Sequence, residues 1–135
     1  MSVVVVGYVP HPRGRAALEH GVLEAHRRGA SLVVVNSSRG DALVDEEFVR
    51  GDRLRALHDE LAATGLTTEV RQPVRGRDAA EELADVCRET GAELLVIGLR
   101  KRSAVGKLLM GSAAQRILLD VDCPVLGVKS PPREA

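Results

Sequence analysis

Three small residues and four basic ones, grouped within a short span, carry the chemistry this sequence can offer. Gly98 ends the apolar run ELLVIG, and Gly111-Ser112 opens a helix-patterned segment that includes Ala113. Arg100, Lys101, Arg102 and Lys107 lie between them, together with Gly106. A helix start presents backbone N–H groups without intrahelical partners and the positive end of the helix dipole. Glycines let a ligand approach the backbone closely, and Arg and Lys supply formal positive charge. Strand, basic loop and helix start in that order make a seat for an anion, phosphate above all.

The elements that must hold this seat follow from periodicity. Val3–Val9 is a β-branched apolar run read as the first strand, and Pro10-His11-Pro12 is a stiff turn delaying helix until Arg13. Ala17, Leu18, Val22 and Ala25 recur at helical spacing up to the stop signal at Gly29. Ser31–Asn36 reads as a second strand. A long helix is predicted over Asp45–Ala63, with Phe48, Leu54, Leu57 and Leu61 on its apolar face. Thr67–Gln72 alternates as an edge strand. Ala79–Thr90 reads as a helix with Leu83, Val86 and Cys87 inward, followed by the strand at Glu93–Gly98, the helix from Gly111 to Asp120 and a last strand within CPVLGVK. Strands alternating with helices throughout predict an α/β doubly wound, mostly parallel sheet with helices on both faces. Ligands bind such sheets beyond the carboxyl ends of the strands, where strand order reverses.

Composition narrows the function. The 135 residues suit one domain, and aromatic residues are limited to Tyr8 and Phe48, so the core is built from Val, Leu, Ile and Ala. A formal net charge of zero argues against a dedicated nucleic-acid binder and leaves little repulsion to oppose self-association. No apolar run is long enough to cross a bilayer. Met1-Ser2 leads straight into VVVV without a basic n-region, which predicts a cytoplasmic protein. Cys87 and Cys123 match no metal or redox spacing and read as small hydrophobes on buried faces in a reducing compartment. The domain is read as residues 1–130, with 131–135 as a short tail.

Competing motifs fail. A Walker A loop requires Ser or Thr after Gly-Lys, but Leu108 follows Gly106-Lys107, and Lys101 stands where its first glycine belongs. The dinucleotide fingerprint is missing, because the turn after the first strand is Pro-rich. A phosphoacceptor domain needs carboxylates where the first strand ends in Tyr8-Val9 and the third near Gln72. No nucleophile elbow, zinc-protease helix or supported Cys–His pair occurs. His11 has no partner placed for acid–base work; His20, His26 and His58 fall on helix faces read as solvent-facing. The sequence gives no reason to expect an enzyme.

Gly98, then Lys101, then nine residues to Gly111-Ser112 resembles the G-x-x-G-x9-G-[S/T] motif of nucleotide-binding universal stress proteins. GRDAAEELADVCRETGAELLVIG resembles that family's third helix and fourth strand, and GSAAQRILLDVDCPVLGVK its last helix and strand. The resemblance spans essentially the whole chain. It implies a five-stranded parallel sheet in the order 3-2-1-4-5, the adenine-nucleotide alpha-hydrolase-like fold. It also implies a homodimer paired through the C-terminal edge strand, and a cleft for ATP, another adenine nucleotide or a small phosphorylated ligand, with Mg only alongside a bound nucleotide. The cleft residues it implies are Val9, Ser37, Gly98, Arg100, Lys101, Gly111, Ser112 and Ala113. Ser37 falls where the family offers backbone to the adenine, and Ser112 is placed as both helix cap and phosphate contact.

Two departures stand out. Nucleotide-holding members usually carry Asp where this chain has Val9, which cannot accept a hydrogen bond. The second motif glycine is Lys101, whose side chain adds charge but obstructs the backbone. The phosphate end of the cleft is thus kept in part and the base end altered. The alternative reading is a nucleotide-independent homodimeric interaction protein with a vestigial cleft.

Overall fold

The computed structural model describes residues 2–37, 48–74, 78–99 and 111–129. Nine elements alternate along it: β1 (Val3–Gly7), α1 (Pro12–Arg28), β2 (Ser31–Val35), α2 (Asp52–Ala62), β3 (Thr68–Arg71), α3 (Ala79–Thr90), β4 (Leu94–Leu99), α4 (Ser112–Asp120) and β5 (Val125–Lys129). The strands form one sheet in the order β3-β2-β1-β4-β5, and each neighbouring pair is parallel. Order reverses between β1 and β4, which pair in the register Val4↔Leu94 to Val6↔Val96. The crevice at their carboxyl ends is therefore the place where this topology accepts a ligand.

Central strands are apolar on both sides because both faces are covered. Val4, Val6, Leu32, Val34, Leu94 and Val96 pack with Ala17, Leu18 and Ala25 of α1 and Leu57 and Leu61 of α2. Val5, Val33, Val35, Leu95 and Ile97 pack on the other face with Leu83, Val86 and Cys87 of α3 and Ile117 of α4. With so few aromatics, area comes from close approach. A Cβ built on Gly21 of α1 would lie 2.2 Å from Val6 Cγ2, so only glycine lets that helix seat this deeply.

The sequence overestimates α2. Helix begins at Asp52: Gly51 has φ 60° and ψ −132°, which no helical residue adopts, so residues 48–51 of the expected range precede the helix, and 45–47 lie outside the described residues. Phe48 precedes the helix, and Val49, buried, belongs to the segment leading into it. Helical periodicity ran on past a conformational stop that only the glycine marks. The α3 range is as the sequence predicts, capped by Asp78, whose side chain accepts from Glu81 N at 2.9 Å.

Candidate nucleotide cleft

The cleft is built at the carboxyl ends of β2, β1 and β4 and the start of α4. On the β2 side, Asn36 is fully buried just beyond the strand. Its Nδ2 donates to the Tyr8 carbonyl at 3.0 Å, and its Oδ1 accepts from Val49 N at 2.8 Å. Gln72 Nε2 donates to the same Oδ1 at 3.2 Å and to the Val49 carbonyl at 2.6 Å. Tyr8 N also donates to the Val35 carbonyl, and Asn36 N to that of Arg71. One side-chain amide thus ties the ends of β1 and β2 to the chain entering α2, with Gln72 after β3 as second clasp. Sequence reasoning passed over both. The available signal was an amide placed directly after an apolar strand, where burial demands a full set of partners.

In the β1–α1 turn, His11 N donates to the Val9 carbonyl at 2.8 Å. That carbonyl also lies where a Cβ on Gly14 would stand, 1.8 Å away. The Val9 backbone is therefore pinned against the first turn of α1, with its side chain half-buried. Pro12 occupies the first helical position, where its missing N–H costs nothing. Arg15, one turn on, pairs with Glu60 of α2 through Nη1–Oε1 at 2.8 Å and Nη2–Oε2 at 2.7 Å. That pairing holds the Glu60 carboxyl below its ordinary range and keeps Arg15 charged.

Gly98 sits at the end of β4, against α1. A Cβ there would meet the Arg13 carbonyl oxygen at 1.9 Å. Its smallness serves the approach of α1 backbone to β4. Gly111 contrasts with it. Among the described residues no atom lies within 4 Å of the position its Cβ would take, and its φ of −64° and ψ of 157° suit any residue.

Gly111 is also the N-cap of α4, so Ser112 is the first helical residue and not the cap that the sequence reading made it. Among the described residues no side chain caps this helix, and its first turn carries no acidic residue, whereas α3 has both features. Gly111, Ser112 and Ala113 are exposed. The α4 start therefore offers amide hydrogens and a partial positive charge at the carboxyl edge of the sheet. Arg116, on the same helix, is turned away from this role. It pairs with Asp78, the α3 cap, and lies 3.7 Å from Glu81.

The structure thus places Val9, Ser37, Gly98, Gly111, Ser112 and Ala113 along the carboxyl edge of the sheet. Arg100 and Lys101 lie outside the described residues. A separate open groove of about 410 Å³ runs between α3 and α4, lined by Glu81, Ala84, Arg88, Leu119 and Asp120, and shares no residue with the cleft. Among the described residues no group of His, Cys, Asp and Glu is arranged to hold a metal, and no helix is long and apolar enough to cross a membrane.

The profile of the family described as "Universal stress protein family" matches residues 1–129. The chain belongs to that family. It is 51% identical over 127 residues to a universal stress protein of Mycolicibacterium smegmatis, covering 94% of this chain and 97% of that relative. Among solved structures, a universal stress protein from Archaeoglobus fulgidus superposes with a TM-score of 0.77 at 30% identity, covering 96% of this chain and 98% of the other. Another structure, the universal stress protein from Archaeoglobus fulgidus in complex with dAMP, superposes at 0.65 with 23% identity, covering 96% and 98%. As a member of this family, the protein has the adenine-nucleotide alpha-hydrolase-like fold, with strand order and helix placement as the sequence resemblance implied.

Proposed function

We propose that this universal stress protein is a non-catalytic binding module that takes an adenine nucleotide in the crevice between the Val9 turn and the α4 start. The observation that carries this reading is Gly111. It opens a helix at the carboxyl edge beside the topological switch, and among the described residues no side chain caps that helix and no atom crowds Gly111. Unpaired amides and a helix dipole there favour phosphate oxygens. The dAMP complex of the archaeal relative supports adenine nucleotides as the ligand class. ATP is the first candidate, with Mg entering only as counter-ion to its phosphates. Arg100 and Lys101 would add phosphate contacts by charge alone.

Gly111→Val separates binding from folding. The backbone angles accommodate valine and no atom of the described residues obstructs it, whereas a branched side chain at the seat would exclude phosphate. Calorimetric titration with ATP, ADP and AMP should give heat for the wild type and none for Gly111→Val at equal melting temperature. Absence of heat for the wild type at millimolar nucleotide would reject the reading. Nucleotide left intact on prolonged incubation, followed by chromatography, tests the assignment as a non-enzyme.

A second reading, a nucleotide-independent dimer, is favoured by Val9, whose side chain cannot accept from a base or ribose and whose backbone is already engaged by His11 and Gly14. In both readings the protein works in the cytoplasm as a homodimer through β5. Among the described residues that strand pairs on one side only, with β4, and an open edge recruits another strand. Sedimentation velocity reads the dimer directly; a monomer at micromolar concentration would remove it.

A further inference from the structure

Among the described residues α4 is the shortest helix, at 9 residues, and the one that buries the fewest side chains. Helices shorter than about 12–15 residues are marginal in water without tertiary packing. Ile117 is the single buried residue of α4; it joins the apolar cluster of Leu83, Val86 and Cys87, with Ala114 packed half-buried against the same cluster. Leu118 and Leu119 face solvent. The neighbouring α3 is anchored far better. It buries Ala80, Leu83, Ala84, Val86 and Cys87, and it is closed by Asp78 at its start and by Gly91 in the left-handed region at its end. The main packing partner of α4 is α3.

One carboxylate joins the two helices. Asp78 Oδ1 accepts from Glu81 N at 2.9 Å and closes the start of α3. Its Oδ2 accepts from Arg116 Nη1 of α4. Arg116 Nη2 lies 3.7 Å from Glu81 Oε1. Arg116 precedes Ile117, so the ionic and the apolar anchor grip the same turn of α4. Everything that holds this helix down on α3 is gathered at that turn.

We propose that the Asp78–Arg116 pair is a latch, and that α4 opens from α3 as a unit while the sheet stays closed. Opening parts Ile117 from its cluster and dissolves the helix, since so short a segment does not keep helical shape alone. Sub-global openings of this kind belong to elements with few buried apolar contacts. The root of β5 bounds the opening, because Leu95 N donates to the Pro124 carbonyl at 3.0 Å and ties that end to β4. Gly111 and Ser112 stand at the start of the moving helix, so their amides converge only while α4 is docked. The latch thereby sets how much of the time this edge of the cleft is formed. Latch and opening are properties of the free protein and hold whether or not a nucleotide binds.

Native-state hydrogen exchange of the purified full chain tests this. The amides of residues 115–121 belong to the ladder of α4, with Gln115 N donating to the Gly111 carbonyl at 3.1 Å and Val121 N to that of Ile117 at 3.0 Å. They should exchange faster than those of residues 83–87 in α3 and 4–6 in β1. Their rates should barely respond to urea below the unfolding transition, since the opening exposes little surface. Gln is as good a helix former as Arg, so Arg116→Gln reads the ion pair. It should speed α4 exchange about two- to fivefold, the range an exposed pair supports, with the weak urea response retained. Asp78→Asn keeps a capping side chain on α3 and should have the same effect, and combining the two should add nothing further. The gap between wild type and Arg116→Gln should shrink in about 1 M salt. Arg27→Gln removes an equal charge from α1, where the partner is Glu24, and should leave α4 exchange as it was. Amides of α4 that match β1 in rate and urea response would mean that they open only on global unfolding, and the proposal would fall. Unchanged α4 exchange in Arg116→Gln would overturn the latch.

Discussion

The carbonyl oxygen of Arg13 occupies the space that a side chain on Gly98 would need, 1.9 Å from where its Cβ would stand. The first turn of α1 is thereby pressed onto the end of β4, which brings the two halves of the crevice together. Gly98 and Gly111, equivalent as letters in the motif, do different work in the fold.

That difference is measurable. Gly98→Ala forces backbone apart and should cost about 3 kcal/mol or more, since overpacking against main chain has little room to relax. Gly111→Ala meets no atom of the described residues and should stay within about 0.5 kcal/mol of wild type, as substitutions at open positions do. Urea titrations of both variants check this; equal stabilities would mean that α1 can move off β4.

Asn36 should be among the most sensitive polar positions. Truncation to Ala strips partners from the Tyr8 carbonyl and the Val49 amide together. Leaving buried groups unsatisfied costs about 1–3 kcal/mol each, so Asn36→Ala should lose about 2–6 kcal/mol in chemical denaturation. Loss of protection at the Val49 amide in hydrogen exchange would accompany it. Unchanged exchange there would show that water replaces the clasp.

This clasp marks how far the sequence could be read. Val, Leu and Ile runs bounded by Gly29, Gly65 and Gly91 made strands, helices and their order legible, because periodicity and stop signals report local geometry. The α4 start was legible for the same reason. The contacts of Asn36 with Val49 and of Gly98 with Arg13 were not. Each joins residues remote in sequence whose types carry no mutual signal, and only the closed sheet brings them into contact. Glu82 is the partial exception. It is 1% exposed, and it shares helical phase with Val86, four residues on, which already turned it inward.

The ion pair between α1 and α2 has a pH signature. Arg15 stays charged throughout, so Glu60 alone titrates, with a folded-state pKa below its ordinary 4.5. A depressed carboxylate stabilises fully above the unfolded value, and that contribution fades as pH falls through the folded one. Both side chains are 43% exposed, which limits the effect to about 0.5 kcal/mol. Glu60→Gln should therefore melt slightly lower than wild type at pH 7 and match it near pH 3. A gap persisting in acid would mean that the carboxylate charge is not its source.

Val9 offers the sharpest probe of the base end of the cleft. Its main chain is pinned by His11 N and by contact with Gly14, so a substitution changes the side chain without moving its root. Valine presents no acceptor to a ribose or adenine. Aspartate at the same point would present two oxygens, and a charge-assisted hydrogen bond adds about 1.5–3 kcal/mol. That corresponds to a gain in ATP affinity of roughly tenfold to a hundredfold. The cost is the partial burial of a carboxylate, which should lower the melting temperature of the free protein and be recovered when nucleotide is added. Calorimetry on Val9→Asp reads both effects. Tighter binding with unchanged preference among ATP, ADP and AMP would place the new contact on the nucleoside, since the phosphates are held elsewhere. Affinity equal to wild type would show that the nucleoside does not reach the end of β1, and the crevice would then be a phosphate seat without a base site.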